Sequence, residues 1–331
     1  MRKLNFLLKT IKNMDFKNMF LVTKKVSKKA HKPFLWILID EIYCGLKYQA
    51  GYMDYQEFEF YLLNKKQRKT YLTRGKNNQL VSRYNDKNYW HILQDKVEFN
   101  ETFKPYLKRD FIDLRESSFN DFKKFCKGKK TVVAKEIDNC GGKGISKIEL
   151  TKDLESIYKK LKISKQFLVE EMIIQNKKVA ELNPSSVNTL RLFTFFDGKE
   201  AHVINCIFKI GNNGFVDNFS SGGMYTFVGM DGKTLVPAID VYDNKIEVHP
   251  VSKKNLVGFQ IPNYEKAVQM VKEASKKIPQ IQYIGWDVAI LEDDVCLVEG
   301  NEFPGVFQMK PSFVKGEPIG ILPTYQKYMK F

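Results

Sequence analysis

The chain has 331 residues, 43% of them hydrophobic, and a net charge of +16, which suits a sizeable core in one large domain or two to three lobes. Its five cysteines, Cys44, Cys126, Cys140, Cys206 and Cys296, are odd in number and scattered without CxxC spacing. That excludes a disulfide framework or a cysteine zinc site as the organising element and points to a reducing cytoplasm.

Residues 1–33 hold ten Lys/Arg against one acid, Asp15, so more than half of the excess charge sits in a tenth of the chain. Such a segment reads as a solvated arm, as a seat on an anionic membrane surface, or as a nucleic-acid contact. No zinc-finger or ribonucleoprotein fingerprint accompanies the charge, so no nucleic acid is expected. Residues 1–12 lack the long apolar block and cleavage site of a secretory leader, so the mature chain is expected to start at Met1. The apolar run at residues 34–39 falls far short of the roughly 20 residues needed to span a bilayer.

Residues 34–75 read as helical, with Tyr43, Leu46, Tyr48, Phe58, Phe60 and Leu62 at short spacings expected in the core. From about residue 131 the texture becomes β-rich. "TVVAKEI" (131–137) and "ISKIEL" (145–150) flank the Gly-rich "DNCGGKG" as strand, loop and strand. Thr151 is placed to cap a helix over 152–163, and "QFLVEEMII" (166–174) reads as a buried strand. "NTLRLFTFF" (188–196) and "AHVINCIFKI" (201–210) are joined by the hairpin signal Asp197-Gly198, and Asp231-Gly232 marks a second turn. Asn263 is the expected cap of a helix with Val268, Val271, Ala274 and Ile278 on one face. The last strands are "YIGWDVAI" (283–290) and "VCLVEGN" (295–301), turning at Glu292-Asp293-Asp294. This order predicts an α+β fold with more than one sheet. A basic helical region over 1–80 would precede a catalytic region over 81–331.

Chemistry shows where a charge interrupts an apolar strand. Lys135 does so beside Gly141, Gly142, Lys143 and Gly144, a loop that reads either as a flexible turn or as an anion cradle. A phosphate partner would explain the buried lysine. Arg191 and Asp287 raise the same question with opposite signs, and each reads alone as half of a structural ion pair. Glu299 and Asn301 lie two apart on a strand and so share a face. With Asp287 from the neighbouring strand they make an oxygen-only set suited to Mg²⁺ on a nucleotide triphosphate. "FSSGG" (219–223) offers Ser220, Ser221 and Gly222 as an anion cradle or a plain polar connection, and His249 is a candidate acceptor contact in a loop.

The order of these motifs resembles the ATP-grasp superfamily, and within it the sugar-transfer-associated ATP-grasp proteins of bacterial surface-polysaccharide clusters. Its carriers run from "QDKVEFN" (94–100) and "VVAKEIDNCGGKGI" (132–145) through "FLVEEMI" (167–173), "NTLRL" (188–192), "VDNFSSGG" (216–223) and "GFQIP" (258–262). "IGWDVAI" (284–290) and "LVEGNEFPG" (297–305) complete it. The resemblance implies that the nucleotide is held between two α+β lobes, over about 95–175 and 176–325. It gives Lys96 and Lys135 to the phosphates of ATP, with the 138–144 loop folded over them. It further implies Glu170 as acceptor from the adenine amino group, the Glu171–Met172 backbone at the ring edge, Arg191 at the γ-phosphate, and Asp287, Glu299 and Asn301 on Mg²⁺.

The implied activity is ligation of a carboxylate to an amine through an acyl phosphate, on a sugar-nucleotide or glycan precursor destined for a surface polysaccharide or capsule. Direct phosphorylation of an acceptor and a non-catalytic nucleotide-binding scaffold are the rival readings. The expected location is the cytoplasm, peripheral to the inner face of the membrane through residues 1–33.

Overall fold

The computed structural model describes residues 15–137, 144–212, 214 and 222–331. The chain divides into two compact units, one of residues 15–79 with 305–331 and one of residues 80–304. The first unit is helical. Helix α1 (Phe16–Ala30) starts at Asp15, whose carboxylate accepts from the Asn18 N–H, and ends where His31 turns into the left-handed region. Pro33 then leads into α2 (Phe34–Tyr48), followed by α3 (Tyr52–Glu57), α4 (Lys65–Arg68) and α5 (Arg74–Tyr84), which crosses into the second unit. The helical reading of 34–75 is therefore broken into pieces. Gln49 and Glu59 take positive φ of 57° and 49°, a conformation that ends a helix.

Tyr48, Phe58 and Phe60 are buried as expected, but Leu46 and Leu62 are exposed. The core of this unit is aromatic, with Tyr55, Phe58, Phe60 and Tyr71 among its fully buried side chains. Arg68 crosses it to Asp40 at 2.7 and 2.6 Å and to the Phe60 carbonyl at 2.8 Å. Residues 305–331, expected with the catalytic region, belong here instead. Gln308 reads both backbone groups of Leu72, and Gly320 and Leu322 donate to Thr70.

The second unit contains two antiparallel sheets among the described residues. The smaller has the order β1-β4-β2-β3: β1 (Phe111–Asp113), β2 (Thr131–Lys135), β3 (Ile145–Glu149) and β4 (Leu168–Glu171). Burial alternates along β2, so Val132 and Ala134 point to one face and Lys135 to the other. The apolar face packs on helices over Phe119–Cys126 and Leu154–Ile163 through Phe122, Cys126 and Leu161. The latter helix is capped by Asp153, whose side chain accepts from Ser156 N–H, and not by Thr151.

The larger sheet has the order β11-β10-β5-β6-β7-β8-β9, its far edge formed by β7 (Met224–Phe227), β8 (Ala238–Asp240) and β9 (Lys245–Ile246). Its site-bearing strands are β5 (Thr189–Phe196), β6 (Ala201–Ile210), β10 (Tyr283–Ile290) and β11 (Val295–Asn301). One face packs Leu190, Leu192, Ile284 and Trp286 against the helix Tyr264–Ser275 and against Phe99 and Phe103. Trp286 anchors there by donating to Thr194 and Ser275 at 2.9 and 3.1 Å. Its chain neighbour Asp287 must then point to the opposite face. Asn263 precedes the Tyr264–Ser275 helix but makes no side-chain cap. It donates to the carbonyls of Leu291, Glu292 and Asp294, fixing the turn between β10 and β11.

Candidate nucleotide and metal site

Register puts the charged residues of the larger sheet in one row. Asp287 lies directly opposite Glu299 on one side and Arg191 on the other. The Arg191 fork donates from Nε and Nη2 to the two oxygens of Asp287, each at 2.7 Å, and Nη2 lies 3.4 Å from Glu299 Oε1. From β6, Lys209 Nζ reaches Asp287 Oδ2 at 2.9 Å. Arg191 and Asp287 are thus each other's partner across two strands. Lys209 was missed in the sequence, although a lysine near the end of "NCIFKI" is the same anomaly that marked Lys135.

Asp287 is buried, whereas Glu299 keeps 45% of its side chain open. Burial alone would raise the Asp287 pKa, but the Arg191 and Lys209 charges overcome it and hold the carboxyl well below the usual range. Glu299 moves the other way. Crowding on its sheet side and the Asp287 charge push its carboxyl up, while solvent at the open side screens part of that push. Asn301 shares the Glu299 face, opposite Gly285, and donates to the Gly285 carbonyl at 3.2 Å. Gly300 between them meets the packed face, where an added Cβ would sit 2.8 Å from Leu93 and 3.2 Å from Trp286.

The smaller sheet contributes a second charged cluster. Lys135 pairs with Glu170, which also accepts from Asn100 at 2.7 Å and from Arg109 at 2.8 and 3.1 Å. Burial opposes ionisation of Glu170, yet Arg109 and Lys135 lower its pKa to about 2. Glu170, expected as an acceptor for the adenine amino group, is the buried counter-charge of Lys135. Both of its oxygens are taken and 2% of its surface is exposed. Arg109 was not legible, since a charged residue in a loop gives no contrast.

Arg109 also donates to the Leu297 carbonyl of β11 at 2.6 Å, so the Glu170 cluster is tied to the larger sheet at β11. Cys296 records the same proximity: burial pushes its thiol up to about 11, with Arg109, Glu170 and Lys135 near enough to act on it. Lys96, in the first turn of the helix Lys96–Thr102, donates to the Ile137 carbonyl at 2.9 Å, next to the start of the 138–144 loop. Gly141, Gly142 and Lys143 lie outside the described residues. Gly144 is described and closes the loop with φ of +71°, beside the Glu136 side chain.

The Glu171 N–H donates to Asp110 O at 3.0 Å, and its carboxylate takes the Asp110 N–H and Lys129. That ties Glu171 to its own sheet, and Met172 follows just past the end of β4. His249 is buried, with Nε2 2.9 Å from the Gly211 carbonyl and Nδ1 accepting from Val251 and Ser252 N–H. It staples its loop to Gly211. Ser220 and Ser221 lie outside the described residues; Gly222 is described, with φ of +92°.

Two facing carboxylates and a carboxamide supply hard oxygen donors, and Glu299 keeps nearly half of its side chain open to an incoming ion. Asp287, Glu299 and Asn301 fit Mg²⁺ on these grounds, with Asp287 already shared by Arg191 and Lys209.

Comparison with known proteins adds the following. No curated protein matches the sequence. Among solved structures, D-alanine–D-alanine ligase from Bacillus anthracis is 12% identical, with 76% of this chain and 69% of that chain covered and a TM-score of 0.41. The ATP-grasp ligase PsnB, complexed with minimal precursor, Mg and ADP, is 13% identical over 68% of this chain, with a TM-score of 0.38. An L-amino acid ligase from Bacillus licheniformis is 12% identical over 64% of this chain, with a TM-score of 0.39. The chain spans about half the length of the PsnB structure (54%) and less of the amino-acid ligase (41%). The sugar-transfer associated ATP-grasp family matches residues 146–315, just over half of the sequence and including β4, β5, β10 and β11. The chain belongs to the sugar-transfer associated ATP-grasp family.

Proposed function

We propose that the chain is an ATP-dependent carboxylate–amine ligase that works through an acyl phosphate on a sugar-nucleotide or glycan precursor. One observation carries the reading: Glu299, Asp287 and Arg191 form a row across three adjacent strands, Lys209 reaches Asp287 diagonally from β6, and Arg109 ties strand β11 to the Lys135–Glu170 pair. Cations surround a space whose carboxylates are either compensated or open, and such a site suits a polyphosphate with a bound metal.

In this reading Lys96 and Lys135 hold the polyphosphate of ATP beneath the 138–144 loop, and the Met172 segment meets the ring edge. Asp287 fixes the Arg191 fork by a two-point contact, so that the guanidinium faces the transferring phosphoryl without reorganising. Asp287, Glu299 and Asn301 would hold Mg²⁺, which when bound supplies positive charge to phosphate oxygens. A substrate carboxylate oxygen attacks the γ-phosphorus as the bond to ADP breaks. An amine nitrogen then attacks the acyl carbon, phosphate leaves with the electron pair, and the nitrogen loses a proton to solvent.

The 219–223 segment would line the acceptor side, with Ser220, Ser221 and Gly222. The acceptor would belong to a bacterial surface-polysaccharide or capsule precursor, met at the inner face of the cytoplasmic membrane. Incubation with Mg-ATP and a panel of amino acids and sugar-nucleotide acids tests the proposal. Free phosphate with a new amide supports ligation. Phosphate retained on the acceptor means a kinase, and no ADP with any acceptor leaves a binding protein.

A further inference from the structure

The outward surface of the α1–α2 hairpin has no role in this chemistry. Helix α2 buries Ile37, Glu41, Cys44 and Tyr48. The same spacing displaced by two residues, about 200° around a helix, gives Leu35, Ile39, Ile42 and Leu46. These four are 63%, 60%, 51% and 61% exposed. An outward helix face in a soluble unit is normally polar, so a stripe of four aliphatic side chains calls for an apolar neighbour.

Helix α1 repeats the spacing with different chemistry. It buries Met19, Val22, Thr23 and Val26, and the far side of the helix carries Lys17, Leu21, Lys24 and Lys28, all exposed. The exposed rings of Phe20 and Phe34 stack at 6.1 Å across the hairpin, joining the two outward stripes into one surface. At the turn, Lys32 lies 4.2 Å from the ring centroid of Trp36, itself 44% exposed. No helix among the described residues is long and apolar enough to cross a membrane.

We propose that this hairpin lies flat on an anionic lipid bilayer, with Leu35, Ile39, Ile42 and Leu46 inserted shallowly and the α1 lysines at the headgroups. Charge complementarity selects the occupant. A second copy would set lysine row against lysine row, whereas anionic headgroups neutralise the row beside an acyl region that accepts the aliphatic stripe. Trp36 with Lys32 matches the amphipathic pairs found at membrane interfaces. The contact is thereby moved from residues 1–33 alone to a hairpin whose apolar half lies beyond them, and it stands apart from the ligase reading.

The test is co-sedimentation of the full chain with vesicles of phosphatidylcholine, with and without phosphatidylglycerol, at low and raised salt. The intact chain is expected to bind only the anionic vesicles. Ile39→Gln with Leu46→Gln should weaken binding about tenfold at unchanged melting temperature. Lys17→Gln with Lys24→Gln and Lys28→Gln should weaken it and flatten its salt dependence. ADP formation in the absence of vesicles should not change in either variant. No binding by the intact chain at low salt, binding by the Gln variants equal to wild type, or a light-scattering mass showing that Ile39→Gln with Leu46→Gln splits a dimer would each overturn the proposal.

Discussion

Two buried carboxylates of the second unit, Glu170 and Asp287, meet two cations each, yet they end differently. Glu170 is closed, with Lys135, Arg109 and Asn100 consuming both oxygens inside the protein. Asp287 is matched by Arg191 and Lys209, but its row continues to Glu299, which meets Arg191 only at 3.4 Å and stays partly open. The first cluster balances its charges inside the protein, and the second leaves one carboxylate partly exposed. A third buried carboxylate, Glu41 of α2, meets no cation. It touches the Thr23 hydroxyl, and its Oε1 has no hydrogen-bond partner.

Breaking the open end should give the largest effect. Glu299→Gln is expected to lower ADP formation about 10³-fold while leaving the melting temperature nearly unchanged, measured by a coupled assay and calorimetry on one preparation. The same change in the closed cluster reverses the pattern. Glu170→Gln leaves Lys135 and Arg109 buried without a counter-charge and should cost roughly 3 kcal/mol in urea unfolding.

The Glu41 contrast is read through pH. Burial raises its pKa to about 7 from 4.5, with Asp40 adding to the rise and Thr23 opposing it. The folded state therefore binds the extra proton, so this stabilisation is complete below pH 4.5 and is lost as pH rises through 7. Unfolding free energy should fall by about 2 kcal/mol over that window, and Glu41→Gln should remove this component. Glu170 has the opposite sign, its stabilisation present above pH 4.5 and lost as pH falls toward 2. The smallest effect is expected at the divide between the packed and open faces. Gly300→Ala pushes a methyl against Leu93 and Trp286 and should cost about 1 kcal/mol in urea unfolding.

The strands of the second unit were legible because each is short, apolar and bounded by turn residues. Arg191, Asp287 and Lys135 stood out for one reason, a charge inside an apolar strand, and the structure supplies each with a partner. That contrast cannot tell a ligand from a structural counter-ion: Lys135 had suggested a phosphate and meets Glu170. Arg109 has no such contrast, and its role comes from tertiary placement alone. Leu46 and Leu62, expected in the core, are exposed, because hydrophobic spacing marks a face without saying what covers it. The placement of 305–331 rests on contacts with Thr70 and Leu72, more than 230 residues away, which no local pattern carries.

In the proposed function Glu299 is the open end of a metal–nucleotide site. Equilibrium dialysis of a non-hydrolysable ATP analogue, with and without Mg²⁺, on the wild type and on Glu299→Gln tests it most directly. Mg²⁺ should tighten binding to the wild type about tenfold and have no effect on Glu299→Gln, with metal-free affinity alike in both. An equal response to Mg²⁺ in the two proteins would contradict the account.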